Sequence, residues 1–240
     1  MSQKTVLVTG ASRGIGAAAA RRFAAAGYRV AVNYDRSKAQ AEALAAALGG
    51  IAVHADVSDP AQVSSMVDSV LEKFCQLDIL VCNAGVDWQG LLPDMTDADW
   101  KRVMGVDLDG VFYTCRAVLP HMIHRKSGKI VTISSMWGQV GASCEAAYSA
   151  AKAGVIGLTK ALAKEVGPSG ITVNCVAPGV IDTAMNQALP PEALAELAQE
   201  TPLGRIGTAA EVAESVFFLC SPAADFLTGQ VLAPNGGLII

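Results

Sequence analysis

Short runs of apolar, mostly β-branched residues alternate along the chain with longer Ala-rich stretches whose apolar positions recur at helical spacing. Runs such as Val6-Leu7-Val8 and Ile79-Leu80-Val81-Cys82 show no polar alternation, as strands buried on both faces require. The pattern predicts strands at 4–9, 29–34, 51–55, 78–82, 129–134, 171–177 and 230–233, with helices at 14–26, 37–48, 60–75, 97–125, 147–166 and 209–220. Gly27, Gly49-Gly50, Gly128 and Gly167-Pro168 follow helices, where stop residues belong. Such alternation predicts an α/β fold: one doubly wound domain over residues 1–240, with a seven-stranded parallel sheet and helices on both faces. Residues 180–208 break the rhythm with Pro190-Pro191, Pro202 and a short amphipathic stretch from Glu192 to Ala198. An insertion at the carboxyl end of a strand is where this architecture carries a substrate lid.

Composition narrows the field. The chain has 240 residues, 52% hydrophobic and 17% charged, with 18 Lys+Arg against 22 Asp+Glu and a net charge of −4. Low charge and high apolar content exclude disorder. Dispersed charge without a basic stripe argues against nucleic acid as a partner. No apolar run has the ~18–20 residues that cross a bilayer. The start of the chain shows no signal-peptide core, so a cytoplasmic protein that avoids membranes is expected. Six cysteines without a C-x-x-C read as reduced small hydrophobes. His121 and His124 read as a solvated basic helix end, and no metal site is predicted.

The first strand runs into Gly10-Ala11-Ser12-Arg13-Gly14-Ile15-Gly16 and then a helix. Glycines at this junction let backbone N–H groups and a helix N-terminus approach a pyrophosphate, so a dinucleotide is expected there. Sites for NAD place an acid at the end of the second strand to hold the ribose 2′-hydroxyl. Here Tyr34 takes that place, followed by Asp35, Arg36 and Ser37. Arg13 and Arg36 suit the 2′-phosphate dianion, which predicts NADPH rather than NADH.

Tyr148 and Lys152 stand four residues apart on a predicted helix, hence on one face. A phenol titrates near pH ~10, so using it as a proton shuttle near pH ~7 requires about 4 kcal/mol of differential stabilisation, which a neighbouring ammonium helps supply. Ser135, thirteen residues before Tyr148 at the end of the fifth strand, is placed to hydrogen-bond the substrate oxygen that Tyr148 protonates.

Together with Asp56-Val57, Asn83-Ala84-Gly85 and Asn174-Cys175-Val176-Ala177-Pro178-Gly179 followed by Ile181 and Thr183, these residues resemble the short-chain dehydrogenase/reductase family from end to end. The resemblance implies a Rossmann fold and reduction of a ketone to a secondary alcohol, with Tyr148 as proton donor. It implies that Asp56 and Val57 contact adenine, that Asn83, Ala84 and Gly85 line the nucleotide crevice, and that Pro178, Gly179, Ile181 and Thr183 hold the nicotinamide carboxamide. It also implies a homotetramer, built through two long helices and the last strand, which the apolar end Leu238-Ile239-Ile240 suits. One position departs from the family pattern: Asp107 stands where an Asn usually holds a water that relays protons to the lysine. A carboxylate accepts hydrogen bonds but cannot donate them, so Asp107 is expected to modify that relay.

Within the family the chain resembles 3-oxoacyl-[acyl-carrier-protein] reductases, and more closely a branch of elongation factor P 5-aminopentanone reductases through the run Ser134 to Glu145. The resemblance implies a protein-carried ketone, on elongation factor P or on acyl carrier protein. An amine-bearing ketone would gain from Glu145 or Asp87 as counter-ion and from Trp88 or Trp137 as a stacking surface. Glu145 has a second reading, as a cap of the catalytic helix. An acidic carrier protein calls for a basic cleft rim; Lys126 fits one expected site, whereas Ser169 occupies the other. The alternative is an NAD(P)-dependent dehydrogenase of a small sugar, steroid or other secondary alcohol, which the Arg13 and Arg36 reading opposes.

Overall fold

The computed structural model describes residues 3–184, 186 and 190–240; positions 185 and 187–189 of the expected lid lie outside the described residues. The chain opens with β1 (Thr5–Val8), α1 (Gly14–Ala25), β2 (Arg29–Tyr34), α2 (Lys38–Leu48), β3 (Ile51–His54), α3 (Pro60–Phe74) and β4 (Ile79–Cys82). It continues through α4 (Asp97–Met104), α5 (Gly110–Arg125), β5 (Gly128–Ile133), α6 (Trp137–Val140), α7 (Ala146–Val166) and β6 (Ile171–Val176). It closes with β7 (Ile181–Asp182), α8 (Pro191–Glu200), β8 (Gly207–Thr208), α9 (Ala209–Cys220) and β9 (Val231–Leu232).

Seven strands form one parallel sheet in the order β3-β2-β1-β4-β5-β6-β9. Side chains alternate across it, so each strand feeds two cores. Val6, Val8, Ile79 and Val81 pack against Phe23 of α1, Leu44 of α2 and Val216 of α9. Leu7, Leu80, Ile130 and Val173 pack against Val67 of α3, Val118 of α5 and Leu162 of α7. Both faces are therefore dry, which is why the strands read as unbroken apolar runs. The strand order reverses between β1 and β4, and the crevice at their carboxyl ends is where such sheets bind ligands. Thr9 ties this point together: its Oγ1 accepts the N–H groups of Asn83 (2.9 Å) and Ala84 (3.1 Å).

The expected strands and the α/β architecture are present; several strands are a residue or two shorter than the pattern suggests. The predicted single helix 97–125 is α4 and α5 joined by a π-helical turn, Gly105–Asp109. That turn carries Asp107 into the interior, where it is fully buried. Gly128 is not the helix stop: Lys126 takes the left-handed conformation at φ 51°, and Gly128 is needed because a Cβ there would collide with Met122. His121 is not a solvated end, since its Nε2 accepts the Leu77 N–H at 3.1 Å. Cys82, Cys115, Cys175 and Cys220 are buried thiols, whereas Cys75 and Cys144 are exposed. The segment after β6 contains an unforeseen two-stranded pairing of β7 with β8, and its amphipathic stretch extends to the whole of α8.

Candidate active site

The carboxyl ends of the strands surround a cavity of about 760 Å³. At one end the loop after β1 turns into α1. Gly10 sits at φ 60°, and its N–H donates to Asn33 Oδ1 at 3.0 Å. Any side chain there would meet the Ala84 backbone at 2.7 Å, and one at Gly16 would lie 2.5 Å from Asn83 Nδ2. Asn83 Nδ2 donates in turn to Thr9 O (2.9 Å) and Gly10 O (3.1 Å). Glycines thus hold the loop against the β4 turn, leaving the first turn of α1 open to the cavity without a side-chain cap. This fits a dinucleotide pyrophosphate, which such unpaired N–H groups attract.

Gly10, Ser12, Arg13, Gly14, Ile15, Tyr34, Arg36, Ser37, Asp56, Val57, Asn83, Ala84 and Gly85 all line the cavity; Gly16 supports it from behind. Pro178, Gly179, Ile181 and Thr183 close its far wall, with Thr183 3.7 Å from where a Gly14 Cβ would stand. Tyr34 is buried, its ring 5.4 Å from His54. The Arg36 side chain is 91% exposed and reaches Asp35 at 3.3 Å, so it is available at the rim. Asp56 is held by Ser58, whose N–H and Oγ donate to its Oδ1 at 2.9 and 2.7 Å.

The middle of the cavity brings Ser135, Tyr148 and Lys152 together. Ser134 Oγ donates to Lys152 O (2.8 Å), pinning β5 to α7, and Gly138 lets α6 lie against Lys152 backbone that a Cβ would strike at 2.7 Å. Ser135 is 8% exposed, and its Oγ accepts the Trp137 N–H at 3.2 Å. Burial pushes the Tyr148 phenol above its ordinary value, while the Lys152 charge and a hydrogen bond with Ser135 pull it back. The Lys152 ammonium lies 5.4 Å from the Tyr148 ring centre and donates to Ile133 O at 3.2 Å. Asp107 does not line the cavity; it stands behind Lys152, Oδ2 to Nζ 2.9 Å. Burial would lower the lysine, but Asp107 and Tyr148 outweigh it and leave it above its ordinary value. Burial raises the Asp107 carboxyl against the opposing pull of Lys152 and the Val86 N–H.

The substrate end is more mixed. Asp87, Trp137 and Glu145 line it, as the sequence suggests. Trp88 does not: its ring packs over Gly90, whose Cβ it would touch at 2.6 Å, and joins Val103, Ala147 and Ala151 in a small core. Trp88 is therefore no stacking surface for a ligand in this cavity. Glu145 occupies the N-cap position of α7, yet its side chain caps nothing; it accepts from Gln89 Nε2 at 3.2 Å, and burial raises its carboxyl. Gln89, Lys101 and Arg102 line the same rim and went unnoticed in the sequence, because nothing in their spacing signals a turn back toward the cleft. Arg102 Nη2 donates to Asp87 O at 2.9 Å, which joins α4 to the loop after β4.

The model of a family described as enoyl-(acyl carrier protein) reductase matches residues 10–239. The chain is 43% identical over 240 residues to 3-oxoacyl-[acyl-carrier-protein] reductase FabG of Staphylococcus aureus (strain N315), covering 98% of each chain. It is 44% identical over 246 residues to the 3-oxoacyl-[acyl-carrier-protein] reductase of a Synechocystis strain, covering 100% of this chain and 98% of that one. It is 43% identical over 237 residues to FabG of Escherichia coli K12, covering 98% of this chain and 97% of that one. The chain belongs to the short-chain dehydrogenase/reductase family. As a short-chain dehydrogenase/reductase it is an NAD(P)H-dependent oxidoreductase acting on carbonyl or hydroxyl groups. Among the described residues no helix is long and apolar enough to cross a membrane, and no cluster of three metal-ligating side chains is present.

Proposed function

We propose that the protein reduces a protein-carried ketone to a secondary alcohol with NADPH, Tyr148 giving the proton. The observation that carries this reading is the convergence of Ser135, Tyr148 and Lys152 on one cavity whose other end is the glycine-walled mouth of α1. When bound, the nicotinamide supplies the hydride to the carbonyl carbon. Ser135 and Tyr148 hold the carbonyl oxygen, whose developing charge their hydroxyls stabilise. Tyr148 passes its proton to that oxygen, and the Lys152 ammonium stabilises the phenolate left behind. Asp56 and Val57 serve the adenine, and Asn83, Ala84 and Gly85 line the nucleotide crevice. Pro178, Gly179, Ile181 and Thr183 serve the carboxamide, and residues 180–208 act as a lid. Arg13 and the exposed Arg36 support NADPH over NADH, since a guanidinium matches the 2′-phosphate.

Two carriers compete. The names of the relatives favour a 3-oxoacyl group on acyl carrier protein. The polar substrate end, with Glu145 facing the cavity instead of capping α7, favours a short amine-bearing ketone such as 5-aminopentanone on elongation factor P. Glu145 and Asp87 would take the ammonium and Trp137 would stack on it. NADPH consumption with acetoacetyl-acyl carrier protein, set against aminopentanone-modified elongation factor P, separates them. The site favours the second, and faster turnover of the first would overturn that preference. The exposed Phe112 and Ile123 of α5, Leu232 of β9 and Ile240 support assembly into a homotetramer, with light scattering as its test.

A further inference from the structure

Asp107 is an ionisable group with no exposure to bulk solvent. It is fully buried in the π-helical turn, with Oδ1 accepting the Val86 N–H at 2.8 Å and Oδ2 2.9 Å from Lys152 Nζ. The contact with Nζ is an ion pair and lacks the alignment of a hydrogen bond. Gly85 borders the pair, since a Cβ there would stand 3.0 Å from Oδ2 and 3.3 Å from Nζ, and at 2.9 Å the carboxylate and ammonium leave no room for a water between them. Lys152 is itself 3% exposed, and it also donates to the Ile133 carbonyl on β5. Facing it are Tyr148 from its own helix, Asp107 from the turn and Cys175 from β6. Of these, Asp107 is the one carboxyl group opposite the ammonium. Asp87 faces Asp107 from the loop after β4, and Glu145 faces Tyr148.

A lysine this buried loses its proton readily when nothing opposes it. We propose that Asp107 is a positioning residue that fixes Lys152 in place and keeps it protonated by a direct, buried ion pair, extending the working range of the site to higher pH. The lysine head group is then held between the carboxylate and the Ile133 carbonyl, on the side of the Tyr148 ring. Asp107 is presented from the π-helical turn Gly105–Asp109, a local irregularity of the kind frequent at functional sites. The catalytic part of this inference rests on the proposed role of Tyr148 and Lys152; the protonation part does not.

The test follows the Lys152 proton directly, by NMR of ¹³Cε-labelled lysine across pH 6–11, with assignment from Lys152→Arg. In the unaltered protein the Lys152 signal is expected to stay that of an ammonium to at least pH 10. In Asp107→Asn, whose amide oxygen can still accept the Val86 N–H, it is expected to titrate at least one pH unit lower. Asp107→Ala should move it the same way. The basic limb of kcat/KM for ketone reduction should fall at a correspondingly lower pH. A Lys152 titration unchanged in both variants would overturn the inference, whatever the activity. A shifted titration in a protein that reduces no ketone would uphold the ion pair and sink the proposed role of the site instead.

Discussion

The two ends of the cavity are built on different principles. The dinucleotide end is made of backbone: Gly10, Gly16 and Asn83 lock the loop after β1 to the turn after β4, with neighbours so close that a methyl group has no room. The substrate end is made of side chains on loops and on the helix α4, where Asp87, Gln89, Lys101, Arg102 and Glu145 mix charges around one rim. Backbone geometry at a sheet switch point leaves few solutions, whereas a loop rim can be rewritten without disturbing the core. Tyr148, Ser135 and Lys152 sit where the two meet, just after β5 and on α7, elements packed against the core. A shared chemistry with interchangeable substrates follows from that division.

The largest expected effect breaks the chemistry and spares both ends. Tyr148→Phe should lower kcat by about 10²–10⁴-fold, the usual worth of a positioned proton donor, with NADPH affinity unchanged. Single-turnover NADPH oxidation and cofactor fluorescence titration check it. Next comes the backbone end: Gly16→Ala should destabilise by about 1–3 kcal/mol, as overpacking does, and weaken NADPH binding at least tenfold. Thermal unfolding with and without cofactor measures both. Should Gly16→Ala bind normally, the close contact with Asn83 would not matter to the cradle.

Smaller effects sharpen the contrast at the rims. Arg36→Ala should reduce the NADPH-to-NADH preference in kcat/KM about tenfold, with little change in kcat. Glu145→Gln should impair an amine-bearing ketone about tenfold and a 3-oxoacyl thioester less than twofold; equal losses would remove Glu145 from substrate recognition. The smallest effect lies outside the cavity, where Glu211 in the capping box of α9 accepts from Thr208 and pairs with Arg205. Those partners hold its carboxyl down at about 2, against an ordinary 4.5. Because the folded state prefers the ionised form, its contribution is full above pH 4.5 and disappears as pH falls through about 2. The Tm difference between the unaltered protein and Glu211→Gln should therefore shrink across that window.

The same division explains what was readable. Unbroken apolar strands, the glycine loop and the i, i+4 pair Tyr148/Lys152 are local patterns imposed by burial on two faces or by helix geometry, and the structure contains them. The break of helix 97–125 at Asp107 was hidden, because α and π turns share the same apolar spacing over so short a stretch. Trp88 was misplaced because only packing against Val103, Ala147 and Ala151 decides which way its ring turns. Glu145 stood at the helix start as either cap or ligand, and its contact with Gln89, distant in sequence, was what removed the cap reading.

The most direct measurement of the central claim uses NADPH carrying deuterium at nicotinamide C4, prepared as each of its two stereoisomers, with a ketone substrate and mass spectrometry of the product. One deuterium should appear on the carbinol carbon from one isomer only, and at least about a hundredfold less of it in Tyr148→Phe over the same time. Deuterium missing from the product of the unaltered protein, or transferred undiminished by Tyr148→Phe, would contradict it.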